Sequence, residues 1–202
     1  MKPFPNPVDI ADGVVEELIN AARSGKTLGE ITKELRTEDG QKVAVEPVRV
    51  YRGAETFESL RKATDDFLAK TGSRPKIFLA NMGPIPQHKA RADFSIDFFR
   101  LGGFEVITNK GFPDVDKAAE AALGSGAKIV VICSTDKTYP ELVPPLARKL
   151  KEAQPDTTVI LAGYPKDYIE AFKEAGVDEF IFMNADVVAL LTKLQRKEGV
   201  IV

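Results

Sequence analysis

The spacing of apolar and polar positions changes near residue 74 of this chain. Beyond that point, short apolar runs rich in Ile, Val and Phe alternate with segments whose apolar side chains recur at helical spacing. The apolar runs predict strands over residues 76–80, 104–108, 128–133, 157–161 and 179–182. The segments between and after them predict helices over residues 89–101, 115–125, 140–153, 166–175 and 186–196.

Continuous apolar strands that alternate with helices indicate a parallel sheet whose two faces are both covered by helices. The five βα units predict an α/β fold with a doubly wound, five-stranded parallel sheet of the flavodoxin-like kind. In such sheets ligands bind beyond the carboxyl ends of the strands, where the strand order reverses. The loops expected to carry any function are therefore residues 81–88, 109–114, 134–139 and 163–166.

The N-terminal part has helical patterns interrupted by polar turns. It predicts a mainly helical extension over residues 1–74, before an α/β domain over residues 75–202. Helices are predicted over residues 9–22, 27–35 and 56–71, and a weakly alternating, extended segment over residues 43–51. Thr27 is predicted to cap the second helix, with Glu30 in the capping-box position.

Charge and composition exclude several classes of function. The chain has 202 residues, of which 28 are basic and 30 acidic, and 44% are hydrophobic, as in a protein with a packed core. The densest basic group, Arg148, Lys149 and Lys151, lies on a predicted amphipathic helix whose exposed face needs charge, so no nucleic-acid binding is expected. No apolar run approaches the roughly 20 residues that span a bilayer, so no membrane association is expected.

The chain has one cysteine, Cys133, and one histidine, His88. A single cysteine cannot form an internal disulfide, which suits a reducing, cytoplasmic location. One cysteine and one histidine cannot alone form a zinc site. Because Cys133 ends an apolar strand, we expect a small buried side chain rather than a nucleophile.

Two other functions of this sheet architecture are not expected. A phospho-receiver domain needs acidic residues after its first strand, an aspartate after its third and a lysine after its fifth. The corresponding positions here are Asn81-Met82-Gly83, Cys133-Ser134 and Met183-Asn184. A flavodoxin needs a phosphate loop rich in Gly and hydroxyl residues after its first strand. Here that loop contains Pro84 and Pro86 and has few free N–H donors.

The stretch RPKIFLANMGP at residues 74–84 resembles the start of the C-terminal domain of methylmalonyl-CoA mutase, particularly that of its small, non-catalytic (beta) subunit. RGAE at residues 52–55 and LGGF at residues 101–104 are similar to the same family. The resemblance runs from about residue 25 to the C-terminus and covers most of the chain. It implies that the helical extension corresponds to the linker after the family's (β/α)₈ barrel, and that the barrel itself is absent.

The cobalamin-binding domain of this family is known for the pattern Asp-x-His-x-x-Gly, a later Ser-x-Leu and a Gly-Gly pair. Its histidine ligates cobalt, and the aspartate two residues earlier holds the other ring nitrogen. In this chain the histidine position is His88, but the aspartate position is Pro86 and the glycine position is Arg91. Ser134 falls near the Ser-x-Leu position without the leucine, and Gly163 keeps half of the Gly-Gly pair.

The resemblance therefore implies a small-subunit domain with a degenerate cobalamin site. His88, without its carboxylate partner, is expected to be a surface or helix-start residue, and Arg91 and Tyr164 are expected to fill the cofactor groove. His88, Ser134 and Gly163 are the vestigial cofactor-binding candidates, and His88 is a cobalt ligand only if the site functions. No catalytic residue is expected in this chain.

By resemblance, the assembled enzyme is an isomerase that interconverts methylmalonyl-CoA and succinyl-CoA with adenosylcobalamin, which this chain is not expected to bind. The expected partner is the large (alpha) catalytic subunit, in a heterodimer. The chain is expected to contact the acyl-CoA substrate only as part of the assembled enzyme. Two alternatives stay open. One is a functional cobalamin-binding domain with atypical ligation through His88, and the other is a free-standing module for a nucleotide-like ligand in the same cleft.

Overall fold

Five parallel strands form the centre of the structure, in the order β2-β1-β3-β4-β5. They are β1 (Lys76–Asn81), β2 (Glu105–Ile107), β3 (Ile129–Cys133), β4 (Thr158–Ala162) and β5 (Glu179–Ile181). This is the flavodoxin-like order, so the predicted doubly wound α/β fold is confirmed. The order reverses between β1 and β3, whose pairing ends with Asn81 opposite Cys133.

The computed structural model describes residues 13–35, 46–48 and 50–201, and the chain divides into two compact units, Met1–Val50 and Tyr51–Val202. The first unit contains the helices α1 (Val14–Arg23) and α2 (Leu28–Leu35). The second contains α3 (Glu55–Thr71), α4 (Ile85–Arg100), α5 (Val115–Gly124), α6 (Tyr139–Ala153), α7 (Ile169–Glu174) and α8 (Val187–Lys197). Within these described ranges, no helix is long and apolar enough to cross a membrane.

Helices cover both faces of the sheet, because successive residues of a strand point to opposite sides. On one face, Phe78 and Val130 belong to a buried cluster with residues of α5, α6 and α7. On the other face, Leu79 and Val131 belong to a cluster with residues of α3, α4 and α8. Every residue of β3 and β4 is buried, which explains why their sequences are apolar apart from Thr158.

Helix α4 begins at Ile85, earlier than the predicted start at residue 89. Pro86 is compatible with this start, because the N–H groups of the first turn have no partner within the helix. The helix therefore includes His88, which the sequence pattern placed in the preceding loop. The other predicted strands and helices of this unit overlap their observed counterparts.

In the first unit, the predicted capping box of α2 is confirmed. The N–H of Thr27 donates to Glu30 Oε2 at 2.8 Å, and the N–H of Glu30 donates to Thr27 Oγ1 at 3.3 Å. The helix predicted over residues 9–22 is observed from Val14, and residues 1–12 lie outside the described residues. Residues 43–45 and 49 of the predicted extended segment also lie outside them, and its remaining residues form no strand.

Helix α3 packs against the sheet and the helices of the second unit. Leu60 is buried in the cluster that includes residues of α4 and α8. Nε2 of Gln195 on α8 lies 2.8 Å from the carbonyl oxygen of Leu60, 2.8 Å from Thr64 Oγ1 and 3.0 Å from the carbonyl oxygen of Gly102. The predicted domain boundary after residue 74 would separate these groups, and it stays a prediction.

Candidate functional site

The loops that follow β1, β2, β3 and β4 lie at the carboxyl edge of the sheet and form the candidate site. The N–H of Met82 donates to the carbonyl of Cys133 at 2.9 Å, which continues the pairing of β1 with β3. The loop after β2 closes on the loop after β1, since Gly83 N–H donates to Phe112 O at 2.9 Å and Phe112 N–H donates to Asn81 O at 2.7 Å. These bonds hold the loop that leads into α4 against the end of β3 and the loop after β2.

His88 lies in the first turns of α4, with 3% of its surface exposed. Its Nδ1 lies 3.0 Å from the carbonyl oxygen of Gly83. Because a carbonyl oxygen only accepts, Nδ1 carries the proton in this contact and Nε2 is the acceptor nitrogen. Across the described residues, no protein group bonds to Nε2. The expectation of a surface histidine is wrong, because the side chain is buried, whereas its place at the start of the helix is confirmed.

Gly111 lies directly against the carbonyl group of Gly83, which His88 contacts. A Cβ atom at Gly111 would lie 2.3 Å from the oxygen of Gly83 and 2.7 Å from Cε1 of His88. Its φ of +106° is also a backbone conformation that side chains disfavour. Oδ1 of Asn109 accepts from the N–H of Gly111 at 3.1 Å. Gly111 was not predicted for the site, although an Asn followed two residues later by Gly is a turn signal.

Ser134 is buried in a polar network that joins the ends of β1, β3 and β4. Its Oγ accepts from Gln87 Nε2 at 3.1 Å and lies 2.9 Å from Thr138 Oγ1. Its backbone N–H donates to the hydroxyl of Tyr139 at 3.2 Å, and this hydroxyl donates to the carbonyl of Ala162 at 2.5 Å. The hydroxyl and the backbone N–H of Ser134 are therefore both engaged by groups of the protein itself.

Gly163 follows β4 and lies beneath three side chains. A Cβ atom at Gly163 would lie 3.1 Å from Cε2 of Tyr139, 3.3 Å from Oδ1 of Asp136 and 3.7 Å from Cζ of Arg91. Arg91 on α4 and Asp136 after β3 form an ion pair, with Nη2 and Oδ1 3.0 Å apart. An ion pair and an aromatic ring therefore occupy the space next to Gly163.

Tyr164 packs at the other end of this edge, beside β5. The centroid of its ring lies 4.4 Å from that of Phe182 and 5.8 Å from that of Phe180. Of the two residues expected to fill the groove, Arg91 lies over Gly163, whereas Tyr164 contacts these two aromatic side chains and stays 43% exposed.

The three predicted candidates lie along one edge without forming a single cluster. In the described part of the chain, no hydrogen bond directly joins His88, Ser134 and Gly163. Gln87 links α4 to Ser134, and Tyr139 links Ser134 to the end of β4. Neither linking residue was predicted, because each acts through a contact that the local sequence does not specify.

Cys133 and Tyr139 are buried groups that stay protonated at neutral pH. Burial raises the pKa of the Cys133 thiol from 9.0 to about 12, although the contact with Ser95 and the charge of Arg91 oppose this rise. Burial also raises the pKa of Tyr139. Neither group is suited to act as a nucleophile or a base. No cluster of three or more His, Cys, Asp or Glu residues that could hold a metal ion occurs in the described ranges.

Curated proteins similar to this chain are methylmalonyl-CoA mutases, while no family model matches it. It is 39% identical over 149 residues to the methylmalonyl-CoA mutase small subunit of Streptomyces virginiae, an alignment that covers 74% of this chain and 23% of that protein. It is 32% identical over 157 residues to the small subunit of Porphyromonas gingivalis, covering 78% of this chain and 24% of that protein. The methylmalonyl-CoA mutase of Escherichia coli is 28% identical over 170 residues, an alignment that covers 78% of this chain and 24% of that protein. The chain spans about a quarter of the length of these relatives.

Among solved structures, a CheY-like protein from Pseudomonas aeruginosa PAO1 is similar, with a TM-score of 0.48 and 17% identity, covering 63% of this chain and 95% of that one. A response regulator from Thermotoga maritima has a TM-score of 0.42 and 22% identity, covering 62% of this chain and 98% of that one. The fold assignment rests on the observed strand order.

Proposed function

This chain belongs to the family of methylmalonyl-CoA mutase small subunits, and we propose that it is a structural domain whose cobalamin groove is filled by its own side chains. The observation that carries the proposal is the ion pair of Arg91 and Asp136 beside Gly163. A cofactor tail bound close to the backbone of Gly163 would have to displace that pair and the ring of Tyr139.

The residues at the cobalt end of the groove also fit poorly. His88 is enclosed by the loops after β1 and β2, and its Nδ1 bonds to the carbonyl of Gly83. The family's aspartate position is Pro86, which lies in the first turn of α4 and has no carboxylate. The observed contacts therefore support a domain that does not bind cobalamin.

The function proposed for the chain is accordingly to pack within an assembled mutase. We propose the large (alpha) subunit as its partner in a heterodimer, and contact with the acyl-CoA substrate only through that assembly. In the assembled isomerase, adenosylcobalamin would supply the radical chemistry that interconverts methylmalonyl-CoA and succinyl-CoA. We assign none of that chemistry to residues of this chain.

One observation favours a second candidate, cobalamin binding through His88. Ligating histidines usually donate their other ring N–H to a carboxylate or a backbone carbonyl. The contact from Nδ1 to the carbonyl of Gly83 provides such a partner and leaves Nε2 as the nitrogen with a lone pair. On this hypothesis the carbonyl of Gly83 replaces the aspartate that Pro86 lacks.

A cobalamin titration distinguishes the two candidates. The chain is titrated with cobalamin and followed by the visible spectrum and by calorimetry. The structural proposal expects no saturation at millimolar ligand, which means binding weaker than about −4 kcal/mol. Tight binding that is lost in His88→Ala would instead establish the second candidate.

The proposed partner is tested by co-purification with the large mutase subunit. A stable complex supports the structural role. If no complex forms and the chain instead binds a nucleotide in its carboxyl-edge cleft, the free-standing binding module becomes the better hypothesis.

A further inference from the structure

A hollow of about 310 Å³ lies at the amino edge of the sheet, away from the loops of the candidate site. It is formed where α3, the end of α4 and the segments before β1 and β2 come together. Its lining residues are Arg61, Asp65, Arg74, Arg100, Gly103 and Phe104. Three arginines and one carboxylate leave two net positive charges on the hollow (3 − 1 = 2).

Arg74 is held in place within this hollow. Its Nη1 donates to the carbonyl of Gly103 at 2.9 Å, and its Nη2 pairs with the carboxylate of Asp65. A Cβ atom at Gly103 would lie 3.2 Å from Nη1 of Arg74 and 3.0 Å from Cβ of Thr64. The absence of a side chain at Gly103 therefore lets the guanidinium approach the backbone, and the group is positioned before any ligand arrives.

Arg61 and Arg100 remain available for a ligand. Arg61 precedes Asp65 by four residues on α3, a spacing at which opposite charges usually pair. Asp65 is engaged by Arg74 instead, and within the part of the chain that the structure describes, the guanidinium group of neither Arg61 nor Arg100 makes a hydrogen bond or ion pair. Both guanidinium groups line the hollow and keep their N–H donors free of bonds to the described protein groups.

The chemistry of the lining indicates an oxyanion. Guanidinium groups match the oxygens of phosphate with paired hydrogen bonds, which an ammonium group does not. Because one water takes about 30 Å³ in the liquid, a hollow of about 310 Å³ has room for a diphosphate with water around it. We propose that this hollow binds a soluble ligand bearing a diphosphate, with Arg61 and Arg100 on its oxygens and Arg74 positioned behind them.

The test is a titration of the full-length chain with inorganic pyrophosphate, followed by backbone amide NMR at constant ionic strength. We expect saturable shifts around Gly103 and Phe104, and binding about tenfold weaker in Arg61→Gln and in Arg100→Gln. Arg148→Gln, which removes an exposed arginine of α6, is the matched control and should bind like the original chain. A parallel titration with ADP shows whether a nucleoside attached to the diphosphate increases the affinity.

Equal weakening in Arg148→Gln, or identical shifts with sodium chloride alone, would overturn the proposal by showing only general charge attraction. If pyrophosphate does not bind and Arg61→Gln instead loses the large subunit, the hollow is a protein interface and the proposal also fails. Because the hollow lies at the opposite edge from Gly163, the cobalamin titration gives its result independently of this one.

Discussion

Gly111 shows how one residue determines the shape of the candidate site. Its φ of +106° and its approach to the carbonyl of Gly83 both require the absence of a side chain. We predict that Gly111→Ala lowers the free energy of unfolding by about 2–3 kcal/mol, through backbone strain and a clash inside packed loops. Urea unfolding measures the change.

Gly124→Ala is the matched control for that prediction. A Cβ atom there would meet nothing within 4 Å, and the residue is the last of α5 without a positive φ. We expect a change of less than about 1 kcal/mol, in the stabilising direction. An equal loss of stability in both variants would contradict the contact assigned to Gly111.

The buried thiol of Cys133 predicts a dependence of stability on alkaline pH. Its folded pKa of about 12 lies above the ordinary 9.0, so below pH 9.0 folded and unfolded chains both keep the proton. Between pH 9.0 and about 12 the unfolded chain loses the proton first, so this contribution to stability is lost as the pH rises.

Unfolding of the original chain and of Cys133→Ala at pH 8 and pH 10.5 measures that contribution. The original chain should lose more stability over this interval than the variant. In the native state the thiol should also resist modification by a disulfide reagent at pH 8, because it is buried and protonated. Rapid labelling of the folded chain would contradict the assigned environment.

At the scale of elements, Gln195 joins α8 to α3 and to the turn after α4. Its Nε2 faces the carbonyls of Leu60 and Gly102 and the hydroxyl of Thr64, all in a buried setting. We predict that Gln195→Ala costs about 2–3 kcal/mol, because it removes the buried hydrogen bonds that Nε2 donates and opens a cavity. Arg196→Ala, on the exposed side of the same helix, should change stability by less than about 0.5 kcal/mol. Thermal unfolding of both variants checks the comparison.

At the scale of the whole molecule, two truncations test where the α/β domain begins. A chain of residues 51–202 keeps α3 and its contacts with α8, whereas residues 75–202 lack Leu60 and Thr64. We predict that the longer piece unfolds cooperatively and that the shorter one is less stable by several kcal/mol, as expected when buried apolar side chains and hydrogen-bond partners are removed together. Equal stability of the two pieces would favour the boundary predicted after residue 74.

The sequence by itself determined the features that depend on neighbouring residues. The apolar runs marked the five strands, and Thr27 with Glu30 indicated the capping box that the structure contains. The spacing of apolar residues reflects burial within a single element, and a capping box involves residues only three positions apart. Both can therefore be recognised from the sequence before the fold is known. The sequence alone likewise shows that Pro86 and Arg91 replace the aspartate and the glycine of the family's cobalt-binding pattern.

Only the tertiary structure decided which distant groups meet. Arg91 pairs with Asp136, 45 positions later, because α4 and the loop after β3 converge at the carboxyl edge of the sheet. His88 is buried because the loop after β2 brings Gly111 against the carbonyl of Gly83. Such contacts depend on strand order and loop packing, which involve the whole chain, and no local pattern of apolar and polar residues specifies them.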